Sequence, residues 1–194
     1  PDGYTIDLPN LQSLLKNEFG PVWTVHRLDK DTSGAILFAR SSSVHREMSL
    51  LFEHRKVEKN YRAMVHGNEV DAQFVVDQPL RVNGDRRHRT VIDPINGKPA
   101  QTDVILLKQF DSTAIIDALP RTGYTHQIRA HLAHHGNPIV NDVLYGGKSS
   151  SLPKSIPTDR LMLHALKISF IHPFSGQYTE ITAPLSTEFA GFEI

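Results

Sequence analysis

Thr102-Asp103-Val104-Ile105-Leu106-Leu107-Lys108-Gln109, followed closely by Thr113-Ala114-Ile115-Ile116-Asp117-Ala118-Leu119, is the stretch that decides the fold class. Both runs read as strands, one directly after the other, with no helix between them. Pro120 to Gly123 is a turn, and the chain then enters a predicted helix from about Thr125 to His135, ended by Gly136. Upstream, Val57, Tyr61, Ala63 and Val65 alternate with mostly polar neighbours, as in a half-buried strand. Arg81 to Ala100 is rich in turn-forming and charged residues and reads as a ribbon or loop. Downstream, Gly146 to Thr158 is a surface loop, and Leu161 to Ile171 and Gln177 to Thr182 are strands joined by Pro173-Phe174-Ser175-Gly176.

At the N-terminal side, a helix runs from Asn10 to Phe19, with Asn10 as its cap, Leu11, Leu14 and Leu15 as its apolar stripe and Gly20 at its exit. A polar turn, Asp29 to Gly34, precedes a short apolar strand, Ala35 to Ala39. Ser41 to Ser43 cap a second helix, in which Val44, Met48, Leu51 and Phe52 fall at helical spacing. Many strands with few helices between them give an α+β class with a mixed, mainly antiparallel central sheet flanked by helices and loops, not a doubly wound fold. Without repeats, low-complexity tracts or a linker, residues 1–194 read as a single domain.

Composition narrows the function classes. No apolar run approaches the ~20 residues that cross a bilayer, and the start, PDGYTIDLPN, lacks a signal-peptide pattern. Cysteine is absent, which removes disulfides and thiolate metal sites and fits a reducing cytoplasm. Lys plus Arg and Asp plus Glu are 21 each, so any surface for a polyanion is a local patch. Neither common phosphate-binding glycine loop occurs, so no nucleotide cofactor is expected.

Three segments carry more functional groups than folding requires. His26-Arg27-Leu28-Asp29-Lys30-Asp31-Thr32-Ser33-Gly34 is either a self-capped turn or a carboxylate presented at a strand edge. Pro120 to Leu132 lies in a stretch, Ala118 to Asn141, with two Arg and four His but no Asp or Glu. It is either an anion site at a helix N-terminus or a solvated face with Arg129 in a weak surface pair. Lys59-Asn60-Tyr61-Arg62-Ala63 places Tyr61 in a strand, where a half-buried aromatic is ordinary.

Together these segments resemble the RluA-like family of RNA pseudouridine synthases. His26-Arg27-Leu28-Asp29 with Thr32-Ser33-Gly34 is similar to its HRLDxxTSG signature. Gly123-x-Thr125-His126-Gln127-Ile128-Arg129-x-His131-Leu132 resembles its GRTHQIRxHL motif. Lys59-x-Tyr61-x-Ala63, Gly97-Lys98-Pro99-Ala100, Gly136-x-Pro138-Ile139, Leu144-Tyr145-Gly146, Leu163-His164-Ala165 and His172-Pro173-x-x-Gly176 continue the likeness in the same order. Tyr124 departs from it by replacing the usual Arg, and the family's Lys-Pro-x-Gly strand is not found before Val25. The expectation is a catalytic domain trimmed of its first strand and of any separate RNA-binding module.

The resemblance implies the pseudouridine synthase fold and isomerisation of specific uridines in ribosomal or transfer RNA. It also implies no metal, no organic cofactor and a single required carboxylate, assigned to Asp29. Arg129 matches the arginine that pairs with that carboxylate, for which a bidentate contact is expected. Tyr61 matches the tyrosine packed on the target base, also a candidate to remove the C5 proton. The target uridine leaves its stack, with Arg27 filling the gap. RNA contact is expected from His26, Arg27, Tyr124, His126 and Gln127. In Arg81 to Arg89 (RVNGDRRHR) it is expected from Arg86, Arg87 and Arg89, against the simpler reading of a solvated charge run. A cytoplasmic monomer is expected.

Two rival readings differ in class. A metal-dependent hydrolase would use His131 and His135, four apart on the predicted helix, although no HExxH glutamate accompanies them. A non-catalytic RNA-binding module would have no need of Asp29, Tyr61 and Arg129 together.

Overall fold

The computed structural model describes residues 10–146, 160–185 and 189. The chain divides into two compact units, Pro1–Arg27 with Ile36–Val57 and Phe170–Thr179, and Leu28–Ala35 with Glu58–Ser169 and Glu180–Ile194.

The smaller unit contains helix α1 (Leu11–Phe19), strands β1 (Trp23–Thr24) and β3 (Phe38–Ala39), and helix α2 (Ser42–Glu53). Both helix starts follow their caps. Asn10 Oδ1 accepts from Ser13 N, and Ser41 Oγ accepts from Val44 N, each satisfying an otherwise orphaned amide. Gly20, at φ 76, supplies the exit from α1. The apolar stripe of α1 is real but barely used, since Leu11 and Leu14 are exposed and none of its residues is buried. In α2, Met48 is buried and Val44, Leu51 and Phe52 are half-buried, as their spacing predicts. His26 stacks on Phe52 at 4.9 Å and accepts the Leu37 amide at Nε2.

The larger unit is built on a sheet. β2 (Ser33–Gly34), β4 (Glu58–His66), β5 (Gln73–Asp77), β8 (Gln101–Gln109), β9 (Thr113–Pro120), β10 (Leu163–Ile171) and β11 (Tyr178–Thr182) form it in the order β11-β10-β4-β9-β8-β5. β2 is the exception to an otherwise antiparallel path, pairing with β10 in parallel through Ser33↔His164 and Gly34↔Ala165. The α+β class and the mixed, mainly antiparallel sheet are therefore as the sequence implied. A separate two-stranded ribbon, β6 (Leu80–Arg81) with β7 (Val91–Ile92), occupies the turn-rich segment.

Three local expectations need correction. The predicted strand Ala35 to Ala39 is not continuous: Ser33–Gly34 joins β10, whereas Phe38–Ala39 pairs with β1. β4 is buried on both faces at Ala63, Met64 and Val65, all inaccessible, while Glu58 is exposed and the rest of the strand is half-buried. Helix α3 (Gln127–His134) begins two residues late because His126 adopts a left-handed conformation at φ 55. The expected surface loop, Gly146 to Thr158, lies outside the described residues except for Gly146.

The core explains where α3 must sit. Ile128 and Leu132 join the cluster of Ala63, Met64, Val65, Val104 and Ile116. Ala130 packs instead with Leu80 and Ala100. Six successive residues, Gln127 to Leu132, are buried, so the solvated-face reading of this helix does not hold.

Candidate active site

Asp29 sits on a turn closed by its own backbone, Thr32 N donating to Asp29 O at 3.0 Å. The turn is then anchored to the sheet. Ser33 Oγ lies 2.8 Å from His164 Nδ1, and Ala35 N donates to Ala165 O at 2.9 Å. Gly34 makes this approach possible: its φ is +114, and a Cβ there would run into the Ala165 carbonyl.

α3 brings the partner. Arg129 Nη1 donates to Asp29 Oδ2 at 3.4 Å, and His126 Nε2 stands 3.8 Å from the same oxygen. The bidentate pairing expected between Arg129 and Asp29 is absent. Asp142 takes it instead: Arg129 Nε donates to Oδ2 at 2.7 Å and Nη2 to Oδ1 at 2.8 Å. Arg129 is thus a buried, doubly paired arginine and not the exposed ion pair of the alternative reading. Burial opposes its charge, but the hydrogen bonds and charge of Asp142, and then those of Asp29, hold the guanidinium above its ordinary pKa.

Asp142 was not singled out in the sequence. It closes the turn after the acid-free stretch, its backbone N donating to Ile139 O and its Oδ1 accepting from Tyr145 N at 3.2 Å. The signal lay in what that stretch lacks: an arginine entering the core needs a counter-ion, and Asp142 is the first acid after it.

Tyr145 supplies a third restraint. The guanidinium carbon of Arg129 lies 5.2 Å from its ring centroid, and that of Arg89 lies 5.9 Å away. The phenol oxygen accepts from Thr90 N at 2.9 Å and approaches His126 Nδ1 at 3.2 Å. Beside these residues opens a cleft of about 450 Å³, lined among others by Lys30, His126, Arg129, Asp142, Val143 and Arg160. Tyr61 packs against the main core. Burial first, and then the charge of Asp29, pushes its phenol up to about 12.

The other predicted positions are distributed unevenly. Arg27, Arg86 and Arg87 are exposed. Arg89 is engaged by the protein itself, donating to Asp85 at 2.7 Å and to Leu144 O at 3.3 Å. His26 is committed to its stack and its Leu37 bond. Tyr124 packs on the Leu80, Ala100 and Ala130 cluster. Gln127 is buried, its Oε1 accepting from Thr122 Oγ1 and Tyr124 N, and its Nε2 donating to Gln101 O and Thr102 Oγ1. That saturates the amide and leaves it no bond for RNA. The His131–His135 chelate fails on geometry. Both ring nitrogens of His131 are taken, by Thr102 Oγ1 and Gln78 O, and His135 stacks on Phe74 at 3.9 Å. Burial lowers the His131 pKa, so this ring is held neutral as a core hydrogen-bonder.

A carboxylate and an arginine from distant parts of the chain, meeting beside a polar cleft on a mixed sheet, define a class that known proteins share. Residues 7–134 match the sequence profile of the RNA pseudouridylate synthases. The chain belongs to the RNA pseudouridylate synthase family. It is 36% identical over 171 residues to ribosomal large subunit pseudouridine synthase C of Buchnera aphidicola subsp. Schizaphis graminum, covering 87% of this chain and 54% of that protein. The same-named protein of Vibrio parahaemolyticus is 38% identical over 165 residues, covering 84% of this chain and 52% of the relative. The chain spans about half the length of these curated relatives. Among solved structures, human RNA pseudouridylate synthase domain containing 1 superposes with a TM-score of 0.75 at 29% identity, covering 90% of this chain and 73% of that one. Human RNA pseudouridylate synthase domain containing 4 gives 0.76 at 25% identity, with coverage of 93% and 79%.

Proposed function

We propose that this protein isomerises uridine to pseudouridine in RNA, ribosomal RNA being favoured over transfer RNA by the names of its relatives, with the Asp29 carboxylate as the reacting group. The observation that carries the reading is the meeting of Asp29 with Arg129 and His126 at a cleft lined by further cations. The reaction breaks the N1–C1′ bond, turns the base and joins C5 to C1′. Asp29 either attacks C1′ or assists removal of a ribose proton to give a glycal, and the C5 proton leaves at the end. Neither route requires a metal or an organic cofactor.

Arg129 keeps the carboxylate charged and oriented. Tyr61 offers its ring to the uracil. A phenol pushed up to about 12 stays protonated at neutral pH, which favours stacking over proton removal. The target base is flipped, and Arg27, exposed two positions before Asp29, fills the vacated stack. Arg86 and Arg87 contact phosphates, and the side chains of His126 and Tyr124 lie on the RNA side of the site. The domain acts as a cytoplasmic monomer; among the described residues no helix is long and apolar enough to cross a membrane.

The test is tritium release from RNA labelled at uridine C5, using ribosomal and transfer RNA from a strain lacking the enzyme. Release by the wild type and none by Asp29→Ala is expected. Equal release by both removes Asp29 from the chemistry. Release by neither, in the full-length protein, favours a binding module without catalysis.

A further inference from the structure

We propose that Thr90, at the root of the ribbon, is a positioning residue for the reaction: its hydroxyl fixes the peptide bond that enters His126 and so holds that imidazole against the Asp29 carboxylate. The inference rests on the reading of the cleft as a uridine-isomerising site.

The backbone of His126 needs holding. Its φ of 55 and ψ of 19 are left-handed values, taken at the start of a helix. Side chains crowd the backbone in that region, and helices ordinarily start from an extended residue whose side chain caps an amide. Asn10 and Ser41 follow that rule, whereas His126 makes no side-chain cap bond. Arg55, at φ 56, follows the end of α2, where a left-handed residue is common. Strain of the His126 kind persists only where the surroundings over-determine it. Released, residue 126 would take right-handed values, lengthen α3 at its start and swing the imidazole away from Asp29.

Thr90 supplies the restraint. The φ of His126 is set by the plane of the peptide bond before it, whose carbonyl belongs to Thr125. Thr90 Oγ1 donates to that carbonyl at 2.6 Å, from a residue only 1% accessible. The Thr90 backbone fixes the ring as well. Its N–H donates to the Tyr145 hydroxyl at 2.9 Å, and that hydroxyl donates to Thr90 O at 3.2 Å. The same phenol oxygen lies 3.2 Å from His126 Nδ1. Both the peptide entering His126 and the far side of its ring are therefore referred to one buried residue. The near side, Nε2, then faces Asp29 Oδ2 at 3.8 Å. Thr90 itself bonds neither Asp29 nor Arg129, so it acts on the reacting group through His126. It also follows directly on Arg86 to Arg89, so the strand that carries the proposed phosphate contacts is the one that sets the site.

Three measurements on the whole protein test this. The first requires neither a variant nor activity. The Thr90 hydroxyl proton, given to a carbonyl in a water-excluded place, should exchange slowly enough to appear in ¹H spectra. A hydroxyl exchanging too fast to detect overturns the clamp, even if no variant folds. The second follows the ¹³Cα and ¹³Cβ shifts of His126, which distinguish left-handed from helical backbone. Thr90→Val keeps the shape and loses the hydroxyl, and should move them toward helical values, whereas Thr90→Ser should leave them in place. Unmoved shifts in Thr90→Val overturn the restraint. The third is turnover. Thr90→Val should lower kcat by about tenfold, with KM for RNA within about twofold, and Thr90→Ser should recover most of the loss. Wild-type kcat in Thr90→Val, or a rise in KM alone, overturns the positioning role while leaving Asp29 catalytic. Absence of turnover from the wild type removes the uridine reading and, with it, the positioning role, whatever the spectra show of the clamp.

Discussion

Two parts of the larger unit hold arginine–aspartate pairs of nearly equal length and opposite meaning. Arg129 and Asp142 meet at 2.7 Å with side chains 9% and 0% accessible. In the ribbon, Arg89 and Asp85 meet at 2.7 Å and Arg81 and Asp93 at 2.6 Å, but these side chains stay 13% to 47% accessible. Distance does not rank them; solvent does. In water-exposed pairs the Coulomb gain is nearly cancelled by screening and lost side-chain freedom. Asp85 and Asp93 use their carboxylates chiefly on backbone: Asp85 accepts from the amides of Arg87 and Arg89, and Asp93 from those of Ile95 and Asn96. Asp85 shapes the turn that carries Arg86 and Arg87 outward, and Asp93 shapes the turn through Ile95 and Asn96. Asp142 shapes an arginine.

The largest effect should come from breaking the buried pair. Asp142→Ala leaves a buried guanidinium with one weak partner and should lower stability by about 3 kcal/mol, read by thermal unfolding. Asp85→Ala should shift the midpoint far less, and an equal shift would break the contrast. Replacing both partners, as Arg129→Met with Asp142→Leu, should regain most of the loss, since the pair's value lies in mutual neutralisation, while turnover stays absent.

Burial should also separate the tyrosines. Tyr61 has its phenol pushed up from 10.0 to about 12, so the folded state favours the neutral form. Its stabilising contribution is full below pH 10.0 and is lost as pH rises toward about 12. Burial also raises the Tyr145 phenol, so ultraviolet titration should show a late-ionising group of phenols, and Tyr61→Phe should remove the latest of them. A single transition near the ordinary tyrosine value would sink the assignment.

Smaller effects belong to the ribbon. Charge reversal at Arg86 and Arg87 should weaken RNA binding and flatten its salt dependence by a slope of between about 1 and 2. Unchanged binding removes the ribbon from the interface. Smallest of all is the pH response of the loop. The Arg89 amide first, then its guanidinium, lower the Asp85 pKa below 3.8. The ordering contribution of Asp85 is present above that value and fades only as pH falls through the lowered one. The amides of Arg87 and Arg89 should keep their exchange protection at pH 4 and lose it in stronger acid; loss near neutrality would contradict the geometry.

What was legible in the sequence was local. Asn10 and Ser41 announced their helices because an N-cap needs a partner only three residues away. The ribbon and the paired strands β8 and β9 followed from short-range pattern. The features that were misread depend on distant partners. Ala35 to Ala39 has strand composition throughout, yet β10 captures the residues just before it and β1 captures its end. Alternation in β4 suggested one dry face, whereas the consecutive residues Ala63, Met64 and Val65, which point to alternate faces, are all inaccessible. Gln127 had the chemistry of a contact residue, but its amide was already needed by Thr122, Tyr124, Gln101 and Thr102. Motif likeness singled out Asp29 and Arg129, which the fold brings together across 100 positions. Asp142 was missed because the acid that answers a buried arginine lies around the end of a helix and a turn, 13 positions on.

The tether between β2 and β10 also fixes an order in time. Ser33 and His164 are 131 positions apart, and Asp29 and Arg129 are 100 apart. A chain emerging from the ribosome exposes the Asp29 turn well over a hundred residues before the strand that clasps it. A nascent chain stopped before Leu163 would carry the complete HRLDxxTSG signature together with His126 and Arg129, but not the strand to which Ser33 and Ala35 are bound. Closure over so long an intervening loop is slow and comes late in folding. The Asp29 carboxylate is thus made long before the strand that fixes its turn.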